Sequence, residues 1–293
     1  MKLGVATKRE IGKKLVLNRK MLKAHHVLTL DRDRCAGCGI CVNVCPQEAL
    51  GLRSATIGDG RLIEKPSVDI DPLKCTFCGE CVILCPVGAI RVETDGKEGI
   101  PVVEADVFPA LVREIAIDLE KCNVACDLAC QEVCPMDAID VIVETTRGGT
   151  SEIAEVKVDS KSCIFCGKCE CACPFEAVRV TRPLQGLVQL NHALCQENCQ
   201  ICVDICPSKA IALGERGEPT ITEEFCIYCG ACQEICPKKA ISVLRTHALH
   251  SGATSGAWIT AMKKLTSYRS LIHYLHARAQ RKLRDAAEKI DRF

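Results

Sequence analysis

Six times along the chain, four cysteines fall within eleven to thirteen residues, and each time the fourth is followed by proline. The quartets are Cys35, Cys38, Cys41 and Cys45; Cys75, Cys78, Cys81 and Cys85; Cys122, Cys126, Cys130 and Cys134; Cys163, Cys166, Cys169 and Cys173; Cys195, Cys199, Cys202 and Cys206; and Cys226, Cys229, Cys232 and Cys236. They use twenty-four of the 25 cysteines and leave only Cys171. Aromatic residues make up 3% of the chain, with Trp258 its single tryptophan. A core built on rings is therefore excluded, and the cysteines must organise the fold.

Disulfides need an oxidising compartment. The basic N-terminal stretch has no long apolar run of the signal-peptide kind, and no run approaches the roughly 18 apolar residues of a membrane span. A reducing, cytoplasmic setting is expected, so metal ligation is the reading of the thiols. Structural zinc takes two separated pairs of cysteines around one ion. Four cysteines compressed into one short run, closed by proline, fit an iron–sulfur cubane better. Quartets one, two, four and six keep the C-x2-C-x2-C-x3-C-P spacing of bacterial ferredoxins, in which the fourth cysteine ligates the other cluster of a pair. Gly37, Gly39, Gly79, Gly167 and Gly230 supply turn freedom and close backbone approach. The third and fifth quartets are wider by one or two residues, a difference read as loop drift.

After every Cys-Pro comes a short turn ending in Ala-Leu, Ala-Ile or Ala-Val, from Ala49-Leu50 to Ala240-Ile241. Alternating strands precede several quartets, for example Ser67–Asp71 and Val156–Asp159. The expected fold is α+β. Three tandem bacterial-type two-cluster ferredoxin modules of small antiparallel strands and short helices are followed by a long C-terminal helix. The expected divisions are a basic N-terminal arm (1–24), module one (25–93), a connecting insertion (94–118), module two (119–182), module three (183–246) and a basic amphipathic helix (247–293).

Six [4Fe–4S] clusters follow. Sequential pairing assigns Cys35, Cys38, Cys41 and Cys85 to the first, and Cys75, Cys78, Cys81 and Cys45 to the second. The third takes Cys122, Cys126, Cys130 and Cys173, and the fourth Cys163, Cys166, Cys169 and Cys134. The fifth takes Cys195, Cys199, Cys202 and Cys236, and the sixth Cys226, Cys229, Cys232 and Cys206. Nested modules would exchange the fourth ligands and leave the ligand list unchanged. Cys171 is expected to be a buried spare thiol.

No second chemistry accompanies the thiols. The chain has no G-x-G-x-x-G after a strand and no P-loop, and its histidines pair with no nucleophile motif. Cys195-x3-Cys199-x2-Cys202 has radical-enzyme spacing, but Cys206-Pro207 follows at the ferredoxin distance. No catalytic residue is assigned. Six cubanes in an array read as a path for electrons, with a non-conducting iron–sulfur scaffold as the alternative. No nucleic-acid partner and no transmembrane segment are expected.

Charge is uneven. Residues 1–34 and 245–293 each hold ten Lys/Arg against three Asp/Glu, while 35–244 hold 18 against 31. The basic ends either fold back on the acidic centre or dock on partner subunits. Trp258, Met262, Leu265, Tyr268, Ile272, Leu275, Ala279, Leu283, Ala286 and Ile290 recur at helical spacing. They predict one amphipathic helix over 255–292, with a partner as its preferred contact. Val107–Glu114 predicts a short helix in the insertion. His25 and His26 are expected to be exposed, and His247 and His250 to lie in a surface loop.

Several connecting motifs carry a resemblance. They are Phe108-Pro109-Ala110-Leu111-Val112, Cys163-Ile164-Phe165-Cys166-Gly167 with Arg182-Pro183-Leu184-Gln185-Gly186, Cys226-Ile227-Tyr228-Cys229-Gly230, and Ser255-Gly256-Ala257-Trp258. Over residues 10–290 the chain resembles the polyferredoxin subunit of tungsten- or molybdenum-dependent formylmethanofuran dehydrogenases of methanogenic archaea. That resemblance implies an electron-transfer subunit without catalytic residues of its own, in an anaerobic archaeon. It implies delivery of low-potential electrons to or from a metallopterin catalytic subunit, where CO2 is reduced to formylmethanofuran or the reverse occurs. A ferredoxin, hydrogenase or heterodisulfide reductase would be the electron donor. A polyferredoxin of a hydrogenase or heterodisulfide reductase complex is the alternative parent.

Overall fold

Strands that flank different quartets find each other. In the computed structural model, which describes residues 4–145, 151–252 and 254–290, His25–Asp31 precedes the first quartet and pairs antiparallel with Ile90–Thr94 after the second. Glu114–Ile117, before the third, pairs with Val178–Thr181 after the fourth. Leu184–Leu190, before the fifth, pairs with Ile241–Ala248 after the sixth. Inside each of these frames lies a second antiparallel pair: Leu50–Arg53 with Ser67–Ile70, Ile139–Thr145 with Ser151–Val158, and Ile211–Leu213 with Pro219–Ile221. Six helices of four or five residues carry third cysteines or their neighbours: Ile40–Val44, Glu80–Ile83, Ala129–Glu132, Lys168–Ala172, Ile201–Ile205 and Ala231–Ile235. The result is a mixture of small strands and short helices of ferredoxin-like kind.

Residues 1–24 are not an arm. Val5–Ile11 and Lys14–Lys20 form a hairpin around a two-residue turn in which Gly12 takes φ +58°, the glycine-favouring first position. The hairpin extends the first frame into a five-stranded sheet ordered Val5–Ile11, Lys14–Lys20, His25–Asp31, Ile90–Thr94, Lys97–Glu98. Alternation explains the recruitment: Leu15, Leu17, Leu28, Leu30, Ile90 and Val92 all face one buried side. Residues 1–3 of the predicted arm lie outside the described residues. His25 and His26 are half-buried in this sheet, bonded to Asn18 and Thr94 respectively.

The predicted single C-terminal helix is two helices, Gly256–Thr266 and Tyr268–Ile290. Ser267 is extended (φ −121°, ψ 107°), and its hydroxyl accepts from the Ser270 N–H, so it ends one helix and caps the next. Residues 291–293 lie outside the described residues. The pair packs back on this chain, over the first quartet's helix and the strand after the sixth quartet. Trp258 is 3% exposed, edge-on to Phe108 at 5.0 Å and to His250 at 4.8 Å, among Ile40, Val44, Ile83 and Leu84. Arg278 and Arg281 bind Glu48 at 2.9 and 3.0 Å. Both basic ends therefore fold back, the N-terminal one through Lys8 on Asp69.

In the insertion, the helix is Pro101–Glu104, where a proline opens the first turn. Residues 107–114, predicted helical, instead give the strand Ala110–Leu111, paired with His250–Ser251. His247 and His250 consequently lie in strands rather than a loop. No helix among the described residues is long and apolar enough to cross a membrane.

Candidate metal centres

The six thiol loops repeat one backbone course. The residue before the second cysteine is left-handed in five of them: Gly37, Phe77, Phe165, Asn198 and Tyr228, at φ between 50° and 65°. A second left-handed residue precedes the short helix in four, as Gly39, Gly79, Gly167 and Gly230. In the wide third loop this course is taken by Asp127 and Leu128, at φ 50° and 55°. The loop's two extra residues accompany two consecutive left-handed residues, a conformation costly to a leucine.

The other end repeats in all six. Three residues beyond the fourth cysteine the chain turns left-handed, at Glu48, Gly88, Asp137, Glu176, Lys209 and Lys239. That turn aims the next N–H back at the thiol. Ala49, Ala89, Ala138, Ala177, Ala210 and Ala240 donate to the Sγ of Cys45, Cys85, Cys134, Cys173, Cys206 and Cys236 at 3.3 to 3.4 Å. These alanines are legible in the sequence as a repeat but not as donors. The signal is a side chain kept to one methyl four residues past the cysteine, where the backbone must approach sulfur.

Four sets of thiols ring cavities. Cys122, Cys126, Cys130 and Cys173 line one. Cys195, Cys199, Cys202 and Cys236 line a second. Cys45, Cys75, Cys78 and Cys81 line a third, and Cys134, Cys163, Cys166 and Cys169 a fourth. In the other two, Cys85 stands with Cys35, Cys38 and Cys41, and Cys206 with Cys226, Cys229 and Cys232. Each fourth cysteine thus stands with the first three of the neighbouring quartet. Cys171 does not share this environment. It is exposed and absent from the cavity that Cys169 lines, so the expectation of a buried thiol is corrected: a residue two beyond Cys169 on a short helix turns to the opposite side.

A tetrahedral zinc site closes its four thiolates on one ion at about 2.3 Å. Among the described residues, no three His, Cys, Asp or Glu side chains converge as ligands of a single ion. Thiols spread around a cavity, with N–H groups aimed at sulfur, suit a larger anionic cluster.

Known families support this for five of the six quartets, the third lying outside the matched residues. A model of the 4Fe-4S dicluster domain matches residues 34–89 and 194–240, and a model of the 4Fe-4S binding domain matches 156–179. The chain is a protein of multi-cluster 4Fe–4S ferredoxin type. This ferredoxin-type chain is 37% identical over 68 residues to Ferredoxin Fdx8 of Sorangium cellulosum, covering 20% of the chain and 64% of the relative. It is 34% identical over 64 residues to a ferredoxin of Pyrobaculum islandicum, covering 22% and 57%. It is 47% identical over 51 residues to a subunit of the ion-translocating oxidoreductase complex of Methanosarcina acetivorans, covering 17% and 18%. The ferredoxin-type chain thus spans less than two thirds of each of these relatives. Among solved structures, it is similar to a chain of the formate dehydrogenase–heterodisulfide reductase–formylmethanofuran dehydrogenase complex of Methanospirillum hungatei. That likeness has a TM-score of 0.77 at 30% identity and covers 91% of this chain and 92% of the other.

The thiol sets of this ferredoxin-type chain are not strung out in sequence order. Cys41 of the first set neighbours Cys81 of the second, Cys38 neighbours Cys229 of the sixth, and Cys232 neighbours Cys202 of the fifth. The loop of the fourth quartet wedges against both the first and the sixth. Arg34 donates to Val87 and Ser162 carbonyls, and the Lys168 ammonium lies 5.1 Å from the Phe225 ring centre.

Burial, then neighbouring thiols, pushes Cys169 and Cys202 up to about 12. Burial likewise raises Cys38, Cys41 and Cys81 well above the ordinary thiol range. Without iron these groups keep their protons at neutral pH, and ligation must release them. Anaerobic reconstitution is therefore expected to acidify weakly buffered solution. Because thiols of an iron-free chain that has lost this burial are protonated below about 8.5, loading should become more favourable as pH climbs from about 7 to about 9. A pH-indicator assay reads both, and proton-neutral loading would contradict the argument.

Proposed function

We propose that the chain holds six [4Fe–4S] clusters on the six thiol sets described above, in three two-cluster modules. We further propose that it serves as the polyferredoxin subunit of a formylmethanofuran dehydrogenase complex. Bound in these sets, a [4Fe–4S] cluster supplies one-electron oxidation and reduction. The chain's own residues hold each site, aim an N–H at its fourth sulfur and set neighbouring sites side by side. No residue of this chain is assigned to catalysis; CO2 reduction to formylmethanofuran, or its reverse, belongs to a metallopterin partner.

The observation that carries the reading is the near full-length likeness to a chain of a complex whose name includes formylmethanofuran dehydrogenase. The juxtaposition of Cys41 with Cys81, Cys38 with Cys229 and Cys232 with Cys202 supports conduction over storage, because a store needs no such adjacency. The test is anaerobic isolation of the native complex. About 24 iron atoms per chain, at four per site, and a co-purifying tungsten or molybdenum pterin subunit are expected. Half that iron would remove the six-cluster reading. A partner set with nickel or flavin and no pterin would move the chain to a hydrogenase or heterodisulfide reductase complex. Clusters that fail to equilibrate with an external ferredoxin would mark a scaffold.

A further inference from the structure

Only four polar side chains are buried among the described residues: Arg19, Glu80, Ser208 and Lys264. Three of them surround one thiol set, that of Cys45, Cys75, Cys78 and Cys81. Arg19, 6% exposed, comes from the N-terminal hairpin. It stacks 5.2 Å from the ring centre of Phe77, which lines the cavity, and donates to the Pro72 carbonyl at 2.6 Å. Its Nε is buried with no hydrogen-bond partner. Lys264, 8% exposed, comes from the helix Gly256–Thr266 on the chain's other end. Its ammonium sits 3.6 Å over the Tyr274 ring. Arg19 lies within electrostatic reach of Cys75, and Lys264 of Cys45.

The opposing charges are Glu80, buried beside Lys264, and Glu48, which Arg278 and Arg281 already neutralise. Two buried cations therefore face one buried carboxylate. At the third set the charged neighbour of Cys122 is Asp118, and the cations beside the first set, Arg245 near Cys38 and Arg113 near Cys85, are not among the fully buried side chains. Burial makes the difference effective, because fixed charges away from water act across a low dielectric with little screening.

We propose that Arg19 and Lys264 raise the reduction potential of the cluster on Cys45, Cys75, Cys78 and Cys81, making it the site on which electrons collect. This rests on the reading that those thiols hold a [4Fe–4S] cluster. Reduction places one electron from a donor on the site and makes or breaks no bond. The added negative charge is what the two cations stabilise. The hairpin and the paired C-terminal helices, both additions to the strand frames, are on this view the means of delivering those charges to one end of the array.

The test is an EPR-monitored redox titration of the full chain, with iron content measured on the same samples. The relevant component is the one that disappears or changes spectrally in Cys78→Ser. In Lys264→Met, the equilibrium constant for its reduction should fall about tenfold, a downward shift of about 59 mV for a one-electron couple. Arg19→Gln, on the opposite element, should shift it the same way. Lys264→Arg should restore the original midpoint, and Lys263→Met, an exposed neighbour on the same helix, should leave it in place. Full iron content with an unmoved midpoint in both Lys264→Met and Arg19→Gln would overturn the inference alone. So would an equal shift in Lys263→Met. A wild-type site that carries no iron would overturn the function reading as well.

Discussion

Removing the iron anaerobically with a chelator should abolish most of the far-UV circular dichroism and the compact hydrodynamic size, along with the visible absorbance. Nine cysteines, among them Cys41, Cys45, Cys75, Cys81 and Cys85, belong to the main buried core. The six thiol-bearing helices have four or five residues, and among the described residues seven of the eight sheets are isolated two-stranded pairs. Helices that short and two-stranded sheets are marginal in water on their own. By analogy with four-ligand zinc sites, each metal centre is worth on the order of 10 kcal/mol of folding free energy. A whole domain is stable by about 5–15 kcal/mol. Losing even one of the buried centres is then comparable to the entire margin. An apoprotein with native dichroism and a native melting temperature would show that apolar contacts carry the fold instead.

Trp258→Ala should cost about 3–5 kcal/mol, the range for truncating a buried large aromatic. Trp258 joins three things that are distant in sequence. It contacts Phe108 of the insertion and His250 of the last strands, and its cluster includes Ile40, Val44, Ile83, Leu84 and Tyr228 from three thiol loops. Its loss frees the helix Gly256–Thr266, which also carries Lys264. At about 1.4 kcal/mol per factor of ten, the open population of the C-terminal helices should rise at least about 100-fold. Limited proteolysis should then cut the tail first, and air should bleach the visible absorbance faster. Trp258→Phe should behave close to the native chain. Unchanged cleavage and bleaching rates in Trp258→Ala would mean that Arg278 and Arg281 on Glu48, rather than Trp258, hold the helices down.

The thiol loops are readable in the sequence because their geometry is local. Three cysteines two residues apart need left-handed turns within the same few residues, so Gly37, Gly39, Gly79, Gly167 and Gly230 announce the loop. The repeated alanines announce the return of an N–H to sulfur four residues on. What the sequence leaves hidden depends on distant surfaces. Residues 1–24 look like a solvated basic arm until Leu15 and Leu17 are set beside Leu28 and Leu30. Residues 255–292 look like a helix seeking a partner until Trp258 finds Phe108. Their apolar stripes state that a contact exists and do not say with what. Cys171 can be placed only once its helix has an orientation.

The order of the thiol sets in space belongs to the tertiary structure. Spacing along the chain dictates that four sulfurs can gather, since chelation by neighbouring residues is a short-range property of backbone turns. It carries no information on which gathered set lies beside which. The adjacency of Cys38 to Cys229, of the fourth loop to the first and sixth, and of Arg19 and Lys264 to a single set arises from packing between segments as far apart as the two ends of the chain. Packing of that kind depends on the shapes of whole buried faces, which the one-dimensional pattern of cysteines does not record.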